Sequence, residues 1–274
     1  MKITCLVENE AREGLQCEHG VAFLIEVPGG RVLFDTGQSG DALLHNSGML
    51  GFDLAKLDAA ALSHAHYDHV GGLPTLLSYS RNNLPFYVNP DFFRERYAIR
   101  EGVHFEIGPS IAREELAEKV DLHTSTDPAE IVPGVWTVGE IDEHPYFVGG
   151  SAHLQSMGDD GKPQPDTYRD DLSLIVRTDD GWVLLCGCCH AGLLNTLAAA
   201  RQRFDGPIRA IVGGTHLGSV SDEDLALAAD RLGAEYGAPD LYVNHCTGHH
   251  AIDVLGDAFG DKVHPFHAGD VLEL

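Results

Sequence analysis

The sequence predicts an α/β protein built as a four-layer αββα sandwich, two mixed β-sheets face to face with helices outside. Three observations lead there. Each half of the chain opens with a β-hairpin pattern, continues as strand–helix units, and delivers polar, ligand-type residues just after its strands. The 274 residues are read as a single domain, with residues 140–171 as a lid or insertion loop.

In order, Ile3–Val7, Val21–Val27 and Arg31–Phe34 read as strands, with Pro28-Gly29-Gly30 turning between the last two. Leu57–Leu62 is the next strand, Gly71-Gly72-Leu73-Pro74 leads into a helix, and Pro85–Val88 is extended again. The charged stretch 91–120 reads as helical, with Ser110 capping a helix through Ala117 and Glu114 and Glu115 near its positive end. Val135–Val138 is a strand, and the long polar stretch after it is broken by Pro145, Pro163 and Pro165. The second half repeats the plan. Leu172–Arg177 and Trp182–Leu185 form a hairpin through Asp179-Asp180-Gly181. Leu193, Leu194, Leu197 and Phe204 share a helix face, and Ile208–Val212 follows. Ser221 caps a helix whose Leu225, Ala228, Leu232 and Tyr236 face inward, Gly237 ends it, and Leu241–Val243 is the last clear strand.

Composition narrows the partners. Eighteen basic against 42 acidic residues give a net charge of −24, which argues against nucleic acid and anionic membrane surfaces. The N-terminus lacks the apolar run of a signal peptide, and no stretch is long enough to span a bilayer. Six cysteines, with Cys186, Cys188 and Cys189 bunched, suit reduced thiols in a cytoplasmic protein and a metal site better than a disulfide framework. The expected partner is a small molecule, with a homo-oligomer allowed.

The chemistry concentrates in Ser63-His64-Ala65-His66-Tyr67-Asp68-His69. Histidines two apart in an extended chain share a face, roughly 6.6 Å apart along it, so His64 and His66 can converge on one ion. Asp68 and His69 lie further round the turn and can aim at a second. Imidazole and carboxylate donors suit Zn²⁺, and a catalytic site leaves positions open. Asp35-Thr36-Gly37 is also the triplet of aspartic proteases, but that chemistry needs two facing carboxylates and the chain holds one such triplet.

His64-Ala65-His66-Tyr67-Asp68-His69 resembles the H-x-H-x-D-H signature of the metallo-β-lactamase fold superfamily. Further stretches resemble a subgroup, the 7,8-dihydropterin-6-methyl-4-(β-D-ribofuranosyl)aminobenzene-5′-phosphate synthases and their uncharacterised bacterial relatives. They are Phe34–Gly40, Ser63–Leu73, Gly187–Gly192, Gly213–Leu217 and His245–Gly248. The resemblance implies that His64 and His66 hold a first metal, that Asp68, His69 and His245 hold a second, and that Asp35 supports the histidine loop without touching metal. Two departures stand out. Val138-Gly139-Glu140 replaces a Pro-Gly-His element, and Gly187-Cys188 replaces the Gly-Asp that supplies a bridging aspartate. His190 is the favoured substitute histidine. Cys188 is a bridging thiolate or a wall of the site, and Glu140 ranks behind both. His216 reads either as a proton shuttle or substrate contact, or as an exposed loop residue.

The expected function is a dinuclear metal-dependent hydrolase of a small ester or phosphoester, with Asp68 and His216 as catalytic residues. The metal set is His64, His66, Asp68, His69, Cys188, His190 and His245. The cofactors are two divalent ions, Zn²⁺ foremost, with Mg²⁺, Mn²⁺ or Fe²⁺ as alternatives. A transferase coupling an arylamine to a dihydropterin pyrophosphate is the second reading. A non-catalytic, metal-stabilised ligand-binding protein is the third.

Overall fold

The structure, a computed structural model, describes residues 1–151 and 153–274. Its first seven-stranded sheet runs Val271–Glu273, Lys2–Val7, Ala22–Val27, Gly30–Phe34, Ala59–Ala61, Pro85–Val88, Asp121–Thr124. The hairpin pairs are antiparallel, and pairing turns parallel from Gly30–Phe34 onward. The second runs Val263–Pro265, Asp240–Val243, Ile208–Gly213, Gly181–Cys186, Leu174–Thr178, Val135–Thr137, Glu130–Val132. It too passes from antiparallel to parallel, after Gly181–Cys186. The two halves therefore share a plan, as the sequence pattern implied.

The alternation of apolar residues explains the four layers. Phe23, Ile25, Val32 and Phe34 of the first sheet and Val176, Val183, Leu185 and Val212 of the second form one dry interlayer core. Fully burying such a side chain contributes about 1.5–3 kcal/mol. The opposite face of the first sheet packs Leu24, Leu33 and Phe86 against Leu43, Leu73, Leu76 and Leu116, which lie on the helices Asp41–Met49, Leu73–Tyr79 and Arg113–Lys119. The outer face of the second carries Leu193–Arg203, Asp222–Tyr236 and His249–Phe259 through Leu197, Leu232 and Leu255. Ser221 caps Asp222–Tyr236 by accepting from the Asp224 N–H, and Gly237 ends that helix at φ 72°.

Two expectations need correction. The stretch 91–120 is not helical throughout: Arg96–Arg100 and Val103–Glu106 form a hairpin, and the helix Arg113–Lys119 starts after Ala112, not at Ser110. The strand pattern was masked because its fully buried inward residue is a guanidinium, Arg96. Residues 140–171 are also partly ordered as strand. Leu154–Met157 pairs with Arg96–Arg100 and with Pro163–Pro165, making a third, four-stranded sheet. Pairing across more than fifty residues leaves no local trace. Arg96 bonds Asp91, Asp166 and Asp170 (3.1, 3.0 and 2.7 Å), which ties this sheet to the body of the protein. No helix among the described residues is long and apolar enough to cross a membrane.

Candidate metal centre

Parallel strands of both main sheets end at one edge, and the ligand-type residues lie on the turns that leave it. Phe34 is in register with Ala61, and Cys186 with Gly213, which is in register with Val243. Asp35, Ser63–His69, Cys188–His190, His216 and His245 follow these ends, the place where α/β sheets bind ligands. Asp35, Cys189, His216 and His245 have positive φ (62°, 62°, 52° and 49°), a cost of about 1–3 kcal/mol each that the surrounding structure holds in place.

One buried carboxylate sets the histidine geometry. Asp35 accepts from the Ser63 N–H, the Ser63 hydroxyl and His69 Nδ1–H, each at 2.7 Å. Because the Ser63 proton goes to Asp35, Ser63 Oγ accepts from His64 Nδ1–H at 2.8 Å. Both rings therefore carry hydrogen on Nδ1 and turn Nε2 into the cavity. His64 Nε2 lies 3.0 Å from His66 Nδ1. His190 donates Nδ1–H to the Gly149 carbonyl at 3.1 Å, so its buried Nε2 holds a lone pair with no hydrogen-bond partner among the described residues. Ligand atoms of His64, His66 and His190 lie within 4.8 Å of one another. Burial lowers His66 to about 3 and holds His64 and His190 well below the usual range, which leaves neutral lone pairs for a cation.

The second group centres on Asp68. Its Oδ2 lies 3.4 Å from His245 Nε2 and 3.8 Å from His69 Nε2. Burial works against the Asp68 charge, but His69, His19 and His245 outweigh it and keep its carboxyl well below the usual range. Burial likewise opposes charge on His69, yet Asp35 and Asp68 push it up to about 9. Cys188 Sγ stands between the groups: it is 3.1 Å from His69 Nε2 and within 4.8 Å of ligand atoms of His64, His190 and His245. Burial pushes its thiol up, so a thiolate there needs a cation beside it. Five imidazoles, one carboxylate and a central sulfur, with an orphaned His190 nitrogen, fit a pair of borderline-soft divalent ions better than Mg²⁺.

Other residues fall out differently. His216 places its ring centroid 4.3 Å from that of His190, and burial lowers it to about 4. Its Nδ1 faces Ser219 Oγ at 2.9 Å, which leaves Nε2 for the cavity. Glu140 takes Arg169 as its partner at 3.0 Å and joins none of these groups. Within 140–171, Gly149 bonds His190 through both backbone groups, and Tyr168 stacks on its ring at 4.6 Å.

Sequence reasoning gave Asp170, Asp171, Arg96 and His19 no role. Asp170 accepts from the Ala65 N–H (2.8 Å) while bound to Arg96, and Asp171 accepts from the Ala191 N–H (2.7 Å), so each carboxylate steadies a ligand loop. The adjacent acidic pair ahead of an apolar strand was the available signal. His19, one of sixteen histidines, carried none, yet its Nε2 is 3.2 Å from Asp68 Oδ2.

A family profile for the metallo-beta-lactamase superfamily matches residues 15–145. Over 288 aligned residues, covering 100% of this chain and 96% of the relative, it is 26% identical to 7,8-dihydropterin-6-methyl-4-(beta-D-ribofuranosyl)-aminobenzene-5′-phosphate synthase of Methanocaldococcus jannaschii. An uncharacterized protein of the same organism is 30% identical over 258 residues, 92% of this chain and 93% of that one. The crystal structure of a metal-dependent hydrolase of the beta-lactamase superfamily matches with TM-score 0.85 at 27% identity, covering 100% of this chain and 99% of that one. Profile, full-length relatives and fold agree with the histidine loop and its place at the sheet edge: the chain belongs to the metallo-β-lactamase superfamily.

Proposed function

We propose that the protein is a dinuclear metal-dependent hydrolase of a small ester or phosphoester. The observation that carries this is the central position of Cys188 Sγ, within reach of ligand atoms from both clusters. His64, His66 and His190 would hold one ion and Asp68, His69 and His245 the other, with the Cys188 sulfur a donor within reach of both clusters. Zn²⁺ suits this mixed nitrogen, oxygen and sulfur set, with Fe²⁺ or Mn²⁺ behind it. Bound in this way, two divalent ions supply an acidified water and Lewis acidity toward substrate oxygens. The residues supply orientation. Asp35 and Ser63 fix the His64 and His69 tautomers, Asp68 orients the nucleophile, and His216 Nε2, neutral at physiological pH, accepts a hydrogen bond from it. The Gly149 and Tyr168 contacts to His190 make 140–171 a wall or lid that keeps bulk water from this ion.

A second reading, transfer of a dihydropterin group from its pyrophosphate to an arylamine, is favoured by the full-length relationship to the M. jannaschii synthase. Ions held by the same residues would supply charge to stabilise a pyrophosphate leaving group as well as to activate water. Zinc-loaded protein, its metal content quantified, is assayed against chromogenic carboxyl and phosphate esters and separately with an arylamine and a dihydropterin pyrophosphate. Ester cleavage that falls at least ~100-fold in Asp68→Asn supports hydrolysis. Coupling without cleavage replaces it with transfer. Tight small-molecule binding without either reaction, unaffected by Asp68→Asn, leaves a binding protein.

A further inference from the structure

The second cluster has three side chains of its own. With Gly187-Cys188 where the superfamily pattern has a bridging aspartate, Asp68, His69 and His245 share one central sulfur with the first cluster. A fourth side chain points at the same place. His19 Nε2 lies 3.2 Å from Asp68 Oδ2, and ligand atoms of His19, Asp68 and His245 all fall within 4.8 Å of one another. The His19 and His245 ring centroids are 5.1 Å apart. Donor atoms around a tetrahedral ion with bonds of about 2.0–2.1 Å sit roughly 3.3 Å from each other. The 3.2 Å to His19 and 3.4 Å to His245 match that edge.

The chain around His19 is built to hold it there. Gly20 has φ 126° and presses on the Asp68 backbone so closely that a Cβ would stand 2.1 Å from the Asp68 carbonyl oxygen. The Gly20 N–H donates to Asn9 Oδ1, and the same oxygen faces His245 Nδ1, both at 3.2 Å. Glu18, on the other side, accepts from the Gln38 and Ser39 N–H groups at 2.9 and 3.2 Å. One loop thus orients His245 and carries His19. The His19 side chain stays 54% exposed, so it closes the second site from the solvent side.

We propose that His19 is a ligand of the second ion, its Nε2 completing the set formed by Asp68, His69 and His245. This rests on the two-ion reading, and the experiment separates the two. Crystals of the full chain grown with Zn²⁺ are measured at the zinc absorption edge, and metal-free wild type and His19→Ala are titrated with Zn²⁺ against a competing chelator. Two anomalous peaks are expected, the second about 2.1 Å from His19 Nε2. In His19→Ala the tighter step stays within about twofold of wild type and the weaker one loses more than ~10-fold, above the lower end of what losing an outer partner costs. Absence of a second peak in wild type at saturating zinc overturns the two-ion reading and this proposal together. Two peaks with His19 Nε2 farther than roughly 2.6 Å from both, beyond any Zn–N bond, overturn the proposal alone. So does an unchanged weaker step in a folded His19→Ala.

Discussion

Asp35→Asn tests the most consequential feature of the site, the control of two imidazole tautomers by one carboxylate. The substitution preserves volume, and Asn tolerates the left-handed backbone that Asp35 occupies at φ 62°. The hydrogen-bond pattern cannot survive it. With the amide oxygen toward the Ser63 N–H, the NH₂ group faces Ser63 Oγ and His69 Nδ1, both of which now donate to Asp35. His69, doubly protonated below about pH 9, must then give up its Nδ1 proton and keep the one on Nε2, the nitrogen that faces the cavity. Ser63, having lost its acceptor, donates to His64 Nδ1 and drives that proton to Nε2 as well. Binding an ion requires reversing these shifts and leaving a buried donor unmatched, at about 2–3 kcal/mol per ring. Each zinc step should weaken roughly 30- to 150-fold. Ser63→Ala removes the His64 arm but leaves His69 its 2.7 Å bond to Asp35, so it should weaken the first ion's step more than the second. Chelator-competition titrations measure both constants, and ¹⁵N shifts of the imidazoles in the metal-free protein report the tautomers. If Asp35→Asn leaves either zinc step within about threefold of wild type, a change under 1 kcal/mol, the tautomer argument is wrong.

Three further outcomes follow from the same geometry. Since Asp35 and Asp68 push His69 up to about 9, its contribution to the stability of the metal-free protein is fully present below about pH 6.5 and is lost as pH rises through about 9. Zinc affinity has the opposite sign: it should climb about tenfold per pH unit up to about 9 if His69 alone releases a proton, and faster if Cys188 does too. Calorimetry in two buffers of different ionisation enthalpy counts the protons released. Arg96→Met strands the Asp166 and Asp170 carboxylates around a buried gap, while Asp91 keeps Arg94, and should cost about 3–5 kcal/mol in chemical denaturation. Arg96→Lys should recover little, because one ammonium cannot reproduce the fork. Gly187→Ala would put a Cβ 2.1 Å from Ser63 Oγ and 2.7 Å from Asp35 Oδ2, so it should lower zinc affinity at both steps while the far-ultraviolet spectrum stays unchanged.

Much of this architecture was legible because local pattern and tertiary role coincide. Strands buried on both faces read as apolar runs, Ser221 and Gly237 mark their helix from both ends, and the histidine loop carries its chemistry within six residues. What stayed hidden has its partner far away in sequence. Arg96–Arg100 is a strand because Leu154–Met157 lies beside it, and Arg96 is buried because Asp166 and Asp170 neutralise it. Nothing within a few residues of Arg96 distinguishes it from a solvated arginine on a helix. The same holds for His19, whose meaning depends on the approach of Gly20 to the Asp68 backbone. Glu140, given a place by its position in the chain, is spoken for by Arg169.

The charge pattern explains why a sulfur can stand where the superfamily pattern has a carboxylate. Asp35, Asp68, Asp170 and Asp171 are all buried around the two ligand loops, and Arg96 is the only buried guanidinium among the described residues that faces them. Asp171 keeps one oxygen without a partner among the described residues, and burial pushes its carboxyl up to about 7. A further aspartate at position 188 would add a group whose ordinary value lies far below a thiol's, so it would carry more charge near neutral pH when no cation is bound. Cys188 does not, because burial pushes its thiol up and it ionises only when a cation is close. On the two-ion reading, a thiol here would make the central negative charge conditional on metal: the metal-free protein would fold around a neutral thiol, and the centre would favour ions that bind sulfur well.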